Sequence, residues 1–148
     1  GINGSTVIVN DIPNGNIQLG GGSSRVGINT LPYPPATALE INGGLSLRTA
    51  LVNITTAGQT VTVGDRSFID LTNTTQGPTN FFITNGINAG QILILTAAVS
   101  NGGEFIYLSS GASIKLQSGG FHLNGGYTLT LIWNGSLWLE LSRSANSL

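Results

Sequence analysis

The 148 residues are enough for one compact domain with a short connector, and their charge excludes two kinds of partner. Only 7% of the residues are charged and the formal net charge is −1, with five basic residues scattered among six acidic ones. Because nucleic acids and anionic membranes both require clustered basic side chains, we expect neither as a partner. Hydrophobic residues make up 40% of the chain, so it should fold rather than stay disordered.

Residues 1–47 come first and predict a thin β connector. They combine short β-prone runs with three consecutive glycines at 20–22 and a proline-rich run at 32–35, and they contain few large apolar side chains. So small an apolar set cannot fill the core of a monomer. Since the chain starts at Gly1 and contains no methionine, we expect it to be a piece of a longer protein.

Residues 48–148 predict the compact domain, because they hold both tryptophans and all five phenylalanines. Asn-Gly dipeptides, which are typical of tight turns, separate short runs rich in β-branched and aromatic residues. No stretch combines the helical spacing of apolar positions with a capping box. We therefore expect an all-β chain ending in a compact antiparallel β-sandwich or a β-prism-like tip domain. The predicted strands lie at 6–9, 60–63, 67–72, 80–84, 91–97, 113–117, 127–133 and 137–142.

The last predicted hairpin is apolar on both faces. With 134–135 as a two-residue Asn-Gly turn, Trp133 lies opposite Ser136 and Leu131 lies opposite Trp138. A half-exposed antiparallel sheet would instead alternate between apolar and polar positions. The pattern therefore requires burial on both sides, either by a second sheet of the same chain or by neighbouring chains of an oligomer.

Two stretches of the sequence resemble a known family. Residues 26–32 (VGINTLP) followed by 38–43 (ALEING) resemble a connector of bacteriophage tail fibres and large bacterial surface adhesins, although the insertion at 33–35 departs from that pattern. Residues 61–69 and 129–143 look like the C-terminal domains of such fibre proteins.

The resemblance implies a parallel homotrimer with intertwined β-strands, displayed outside the cell on a virion tail fibre or on a bacterial surface. Residues 1–47 would form a trimeric β stalk or connector, and residues 48–148 the C-terminal β tip domain. Pairing three copies about an axis would also supply the shared core that the connector lacks.

No arrangement of residues in the sequence is typical of an active site. His122 is the single histidine, and a lone histidine is more often structural than catalytic. Asp65 and Asp70 are five residues apart, which places them on opposite faces of an extended strand, whereas glycoside hydrolysis needs two converging carboxylates. We found no zinc-type spacing, phosphate loop or nucleophile elbow. We therefore expect no enzyme activity, no metal and no cofactor.

Sugar binding is the sharper hypothesis, because glycan sites combine aromatic rings with polar groups that bind hydroxyls. The candidate ligand-binding residues are four ring-bearing side chains and one amide: Trp133, Tyr127, His122, Tyr107 and Asn134. For each ring, burial in the core is the competing interpretation.

Two acid–base pairs have two interpretations each. Asp65 and Arg66 could contact a ligand or form an ion pair that organises a turn or a subunit interface. The same holds for Glu140 and Arg143. The ion pair is the interpretation we favour for both.

These observations together predict a non-catalytic, extracellular, homotrimeric fibre-tip adhesin. It would recognise a glycan or envelope component on the surface of a host or prey cell. One alternative is a purely structural module that trimerises and caps the fibre without binding a ligand. Two others are a monomeric lectin-like sandwich and a polysaccharide depolymerase tail spike.

Overall fold

A computed structural model describes residues 26–28, 39–41, 43–75, 77–98 and 106–146. The chain divides into two compact units, Gly1–Ser46 and Leu47–Leu148. The predicted strand at 6–9 lies outside the described residues. Among those that are described, no helix is long and apolar enough to cross a membrane.

In the first unit, the two connector runs each form a short strand. Strand β1 is Val26–Ile28 and strand β2 is Leu39–Ile41. They pair in parallel, with Gly27 opposite Glu40. The rest of the predicted stalk, apart from residues 43–47, lies outside the described part of the chain.

The described residues of the second unit form ten strands and no α-helix. The strands are β3 Ala50–Ile54, β4 Gln59–Val61, β5 Phe68–Asn73, β6 Thr79–Ile83, β7 Ile92–Ala97, β8 Ile106–Ser109, β9 Ile114–Lys115, β10 Gly120–Leu123, β11 Thr128–Trp133 and β12 Trp138–Ser144. A 3-10 turn, Gln117–Gly119, precedes β10. The all-β prediction is confirmed.

Two sheets face each other, as in the predicted sandwich. We call the four-stranded sheet, in the order β10-β8-β6-β4, the small sheet. The six-stranded sheet, in the order β3-β5-β7-β11-β12-β9, is the large sheet. Burial alternates along β5, β7 and β11, so that every second side chain enters the space between the sheets.

The prediction of antiparallel pairing was wrong for most of the sandwich. From β3 to β8 the chain alternates between the two sheets, so each strand pairs in parallel with the strand two further on. Antiparallel pairing is found for β7 with β11, β11 with β12, and β8 with β10. The Asn85-Gly86 dipeptide shows the reason, because it lies in a connection from the small sheet to the large one and not in a hairpin.

The core between the sheets is almost wholly aliphatic and aromatic. Its largest fully buried side chains are Trp138, Phe81, Ile54, Ile69, Leu71, Leu93, Leu95, Ile106, Leu108, Leu123, Leu129 and Leu131. Full burial of one such side chain stabilises the folded state by about 1.5–3 kcal/mol. The sandwich therefore has the core that residues 1–47 were predicted to lack.

The predicted register of the last hairpin was also wrong. Trp133 lies opposite Trp138, so residues 134–137 form a four-residue loop in place of a two-residue turn. The side-chain oxygen of Asn134 accepts hydrogen bonds from the backbone N–H groups of Ser136 and Leu137, both at 2.9 Å. This side-chain-stabilised turn is wider than the type I′ turn that Asn-Gly suggests.

The outer face of the large sheet carries a group of exposed or half-buried apolar side chains beside polar ones such as Asp70 and Thr130. Its apolar side chains are Leu51, Phe68, Ile92, Ile94, Ile132 and Leu139. Leu51 is 77% exposed and Ile92 is 44% exposed. The sandwich therefore buries one of the two apolar faces predicted for the last hairpin and leaves the other on the outside of the large sheet. We call the outer side of this sheet the large-sheet outer face.

Candidate functional site

The outer face of the small sheet brings two of the predicted ligand-binding rings together. Tyr107 on β8 lies directly opposite His122 on β10, and their ring centroids are 4.5 Å apart. Asn80 on β6 lies on the other side of Tyr107. All three alternate with buried neighbours, so their side chains face away from the core.

Phe82 extends this row, and sequence reasoning missed it. It lies two residues beyond Asn80 on β6, on the same face, and is 48% exposed. The sequence 79–83 (TNFFI) contained the signal for an exposed Phe82, because adjacent side chains on a strand point to opposite faces and only one of two neighbouring phenylalanines can enter the core. We define the aromatic strip as Phe82, Tyr107 and His122.

A cavity of about 200 Å³ adjoins the strip at Phe82. Its lining combines that ring with aliphatic side chains and three serines: Phe82, Ile83, Leu108, Ser109, Ser110, Gly111, Ala112, Ser113 and Ile114. The Ser110 hydroxyl accepts a hydrogen bond from the backbone N–H of Leu116 at 2.8 Å, which fixes the turn that forms one wall. The cavity is small and uncharged, and its surface is mainly apolar with three serines among the lining residues.

Gly120 determines where the Tyr107 ring lies. A Cβ atom on Gly120 would collide with the phenol and would come within 2.9 Å of its Cε2 atom. The Tyr107 ring therefore lies against the backbone of β10 at Gly120, where the absence of a side chain leaves room for it. The preceding 3-10 turn brings the chain to this position through positive φ angles at Ser118 (63°) and Gly119 (80°).

The chemistry of this face suits a sugar. Aromatic rings can pack against the C–H face of a pyranose, and amide and hydroxyl groups such as those of Asn80 and Ser109 can bind its hydroxyls. Neither the strip nor the lining of the adjacent cavity contains a carboxylate or a basic aliphatic side chain. A ligand on this face would therefore be held by stacking and by neutral hydrogen bonds.

The other three predicted ligand-binding residues lie elsewhere. Trp133 is 4% exposed and packs against Trp138 in the core, with ring centroids 5.4 Å apart, so for this ring the competing interpretation of core burial is the right one. Trp133 and Trp138 share the core face of the hairpin in the predicted and in the observed register alike, because the two registers differ by two residues. Tyr127 stacks on Phe121 at 6.1 Å and packs against the core. Asn134 uses its side-chain oxygen to hold its own loop.

The two predicted ion pairs have different outcomes. Arg66 donates to the backbone carbonyl of Thr62 at 2.7 Å, and the described residues show no ion pair between it and Asp65. Glu140 and Arg143 do form an ion pair, as predicted. Asp70 accepts a hydrogen bond from the Thr96 hydroxyl at 2.8 Å.

The Glu140–Arg143 pair fastens the 3-10 turn to the edge of the large sheet. The guanidinium donates to the carbonyls of Gln117 and Gly120 and lies 4.6 Å from the centre of the Phe121 ring. Glu140 accepts from the backbone N–H of Gln117 at 2.8 Å. The hydrogen bond from Arg143 holds the pKa of Glu140 below its usual value although burial opposes this, and the same contact raises the pKa of Arg143. We call these contacts the Glu140–Arg143 clamp.

Comparison with known protein families identifies the sandwich. Residues 48–139 match the family model described as the phage depolymerase C-terminal beta sandwich domain. The match covers more than half of the chain, so the chain belongs to this family. No curated protein matches it. The family indicates a phage tail-associated protein, which confirms the predicted relationship to phage tail proteins and agrees with an extracellular virion component.

Proposed function

We propose that this chain is the non-catalytic, trimeric tip of a phage tail protein and that it recognises a glycan on the cell surface. The observation that carries the proposal is the aromatic strip beside a small, uncharged cavity. It places Phe82, Tyr107 and His122 on one exposed face with uncharged hydrogen-bonding groups between them.

The large-sheet outer face supports the trimeric part of the proposal. An exposed row of leucine, isoleucine and phenylalanine side chains is costly in water and is typical of a subunit interface. Asp70 also lies on this face, and its carboxylate accepts a hydrogen bond from the Thr96 hydroxyl, which satisfies part of its hydrogen-bonding capacity. The small sheet would then carry the ligand on the opposite side of each sandwich.

Glycan binding is tested by replacing the central ring of the strip. Tyr107→Ala should weaken binding to a glycan found in an array screen by about 2–12-fold, because one ring contact contributes about 0.5–1.5 kcal/mol. Tyr107→Phe is the matched control, since it keeps the ring and loses only the hydroxyl. Wild-type binding by the alanine variant, with the oligomer intact, would contradict the proposed site and favour a purely structural capping module.

Assembly is tested by light scattering after size exclusion. The wild-type chain should show three times the mass of one chain, and Ile92→Lys should reduce this, because it introduces a charge into an apolar interface. Thr60→Lys adds the same charge on the small-sheet outer face and should leave the mass unchanged. A monomeric wild-type chain would contradict the trimer and would favour the lectin-like alternative.

The depolymerase alternative makes a separate prediction. If the domain cleaved its ligand, incubation with capsular polysaccharide would release new reducing ends. A release that Asp65→Asn or Asp70→Asn abolishes would contradict the non-catalytic part of the proposal. Among the described residues, no carboxylate belongs to the aromatic strip or lines its adjoining cavity.

A further inference from the structure

A second cavity, of about 610 Å³, lies beside β3 at the edge of the large sheet and contains an unusual share of the chain's charge. Arg48, Asp65 and Arg66 line it together with Thr49 and Ser67. The chain has only five basic residues, so two of them meet in this one place. Its volume lies in the range of about 300–1,000 Å³ that is usual for small-molecule sites. We call it the arginine pocket.

We propose that the arginine pocket binds the carboxylate of an acidic sugar residue. The inference rests on the proposed function in one respect: it assumes that the ligand of this domain is a polysaccharide. It adds a second contact surface, distinct from the aromatic strip, that would select for a uronate in the polymer.

The wall that carries Arg66 is held rigidly. The side-chain N–H groups of Gln91 donate to the backbone carbonyls of Gly64 at 2.8 Å and Arg66 at 3.0 Å. The backbone N–H of Arg66 donates to the carbonyl of Val63 at 3.2 Å, and its guanidinium donates to Thr62. The position of Arg66 is thus set before a ligand arrives, which lowers the entropy lost on binding.

The charges of the pocket match a single carboxylate. Within the described residues, Arg48 and Asp65 make no ion pair and no hydrogen bond through their side chains, so both remain available to a ligand. Two guanidinium groups and one carboxylate give a net charge of about +1, which balances one carboxylate better than a dianionic phosphate. Arg48 and Arg66 can donate to the sugar carboxylate, and Asp65 can accept from a hydroxyl.

The test uses trigalacturonate and its methyl ester, which has the same shape without the charge. Titration calorimetry with the complete 148-residue chain should show binding of the acid and not of the ester. Arg48→Gln and Arg66→Gln should each weaken binding of the acid by about tenfold or more. Lys115→Gln is the matched control, because it removes one positive charge from an exposed position outside the pocket and should leave the affinity unchanged.

Equal binding of acid and ester, no binding of the acid, or wild-type affinity in both arginine variants would each overturn the proposal. A loss of stability in Arg48→Gln without a loss of affinity would show that the pocket is only structural, and would also overturn it. If the trimer mass and the effect of Tyr107→Ala on neutral glycan persist, the proposed function stands and only the acidic site fails.

Discussion

Replacing Glu140 by glutamine removes the charge that faces Arg143 while keeping a side chain of the same size. The Glu140 side chain is 7% exposed and that of Arg143 is 23% exposed, so the pair is largely shielded from water. Glutamine can still accept from the backbone N–H of Gln117, but its hydrogen bond to the guanidinium has a neutral partner. Charged hydrogen bonds contribute about 1.5–3 kcal/mol and neutral ones about 0.5–1.5 kcal/mol. The free energy of unfolding should therefore fall by about 1–2 kcal/mol at pH 7.

The stability difference between wild type and Glu140→Gln should depend on pH, because the pKa of Glu140 differs between the folded and unfolded states. The pKa of Glu140 is lowered in the folded state, so its contribution to stability is complete above the unfolded value of 4.5 and is lost as the pH falls through the folded value. The difference between wild type and Glu140→Gln should be constant from pH 6 to pH 8 and should shrink below about pH 4. Urea unfolding at a fixed chain concentration and several pH values measures it.

The control is Asp65→Asn, which removes one negative charge from an exposed residue that makes no ion pair in the described part of the chain. It should change the stability by less than about 0.5 kcal/mol at any of these pH values. The reasoning would be refuted by a Glu140→Gln variant as stable as wild type at pH 7, or by a difference that persists unchanged at pH 3.

Two further predictions concern glycines that lie against rings. A Cβ atom on Gly86 would collide with the buried Trp133, so Gly86→Ala should destabilise the domain by about 1–3 kcal/mol in urea unfolding. Gly111→Ala is the control and should not destabilise it, because nothing lies within 4 Å of a Cβ atom at that position. Equal stabilities of the two variants would contradict this packing. Gly120→Ala should displace the Tyr107 ring and weaken glycan binding while leaving stability within about 1 kcal/mol of wild type, because the colliding atoms belong to the outer end of a side chain. Unchanged glycan affinity in Gly120→Ala would mean that the ring position does not matter for binding.

The sequence predicted several strands of the large sheet well and the small sheet less well. The runs at 67–72, 91–97 and 127–133 correspond to β5, β7 and β11 to within a residue at each end. Strands β8 and β10, which carry Tyr107 and His122, were not predicted as strands. Both have four residues, so their alternation is too short to stand out.

The candidate site could be predicted only in part. Two of the five predicted residues, Tyr107 and His122, lie together in the aromatic strip, because a ring between buried neighbours on a strand faces outward. Trp133 lies on the core face of β11 with Leu129 and Leu131, and the alternation along the strand does not say which of its two faces the second sheet covers. The arginine pocket could not be predicted, since it joins residues 47–51 to 65–67 through the packing of two strands.

The sequence by itself determined that this protein is all-β, uncharged over most of its length and apolar on two faces of its last hairpin. These properties follow from composition and from the alternation of neighbouring residues, which are local. The tertiary structure decided which strands pair, which face each ring occupies and which apolar face stays exposed. Parallel pairing between strands in alternate sheets joins residues that are distant in the chain, and the order of residues along a strand does not specify its partner.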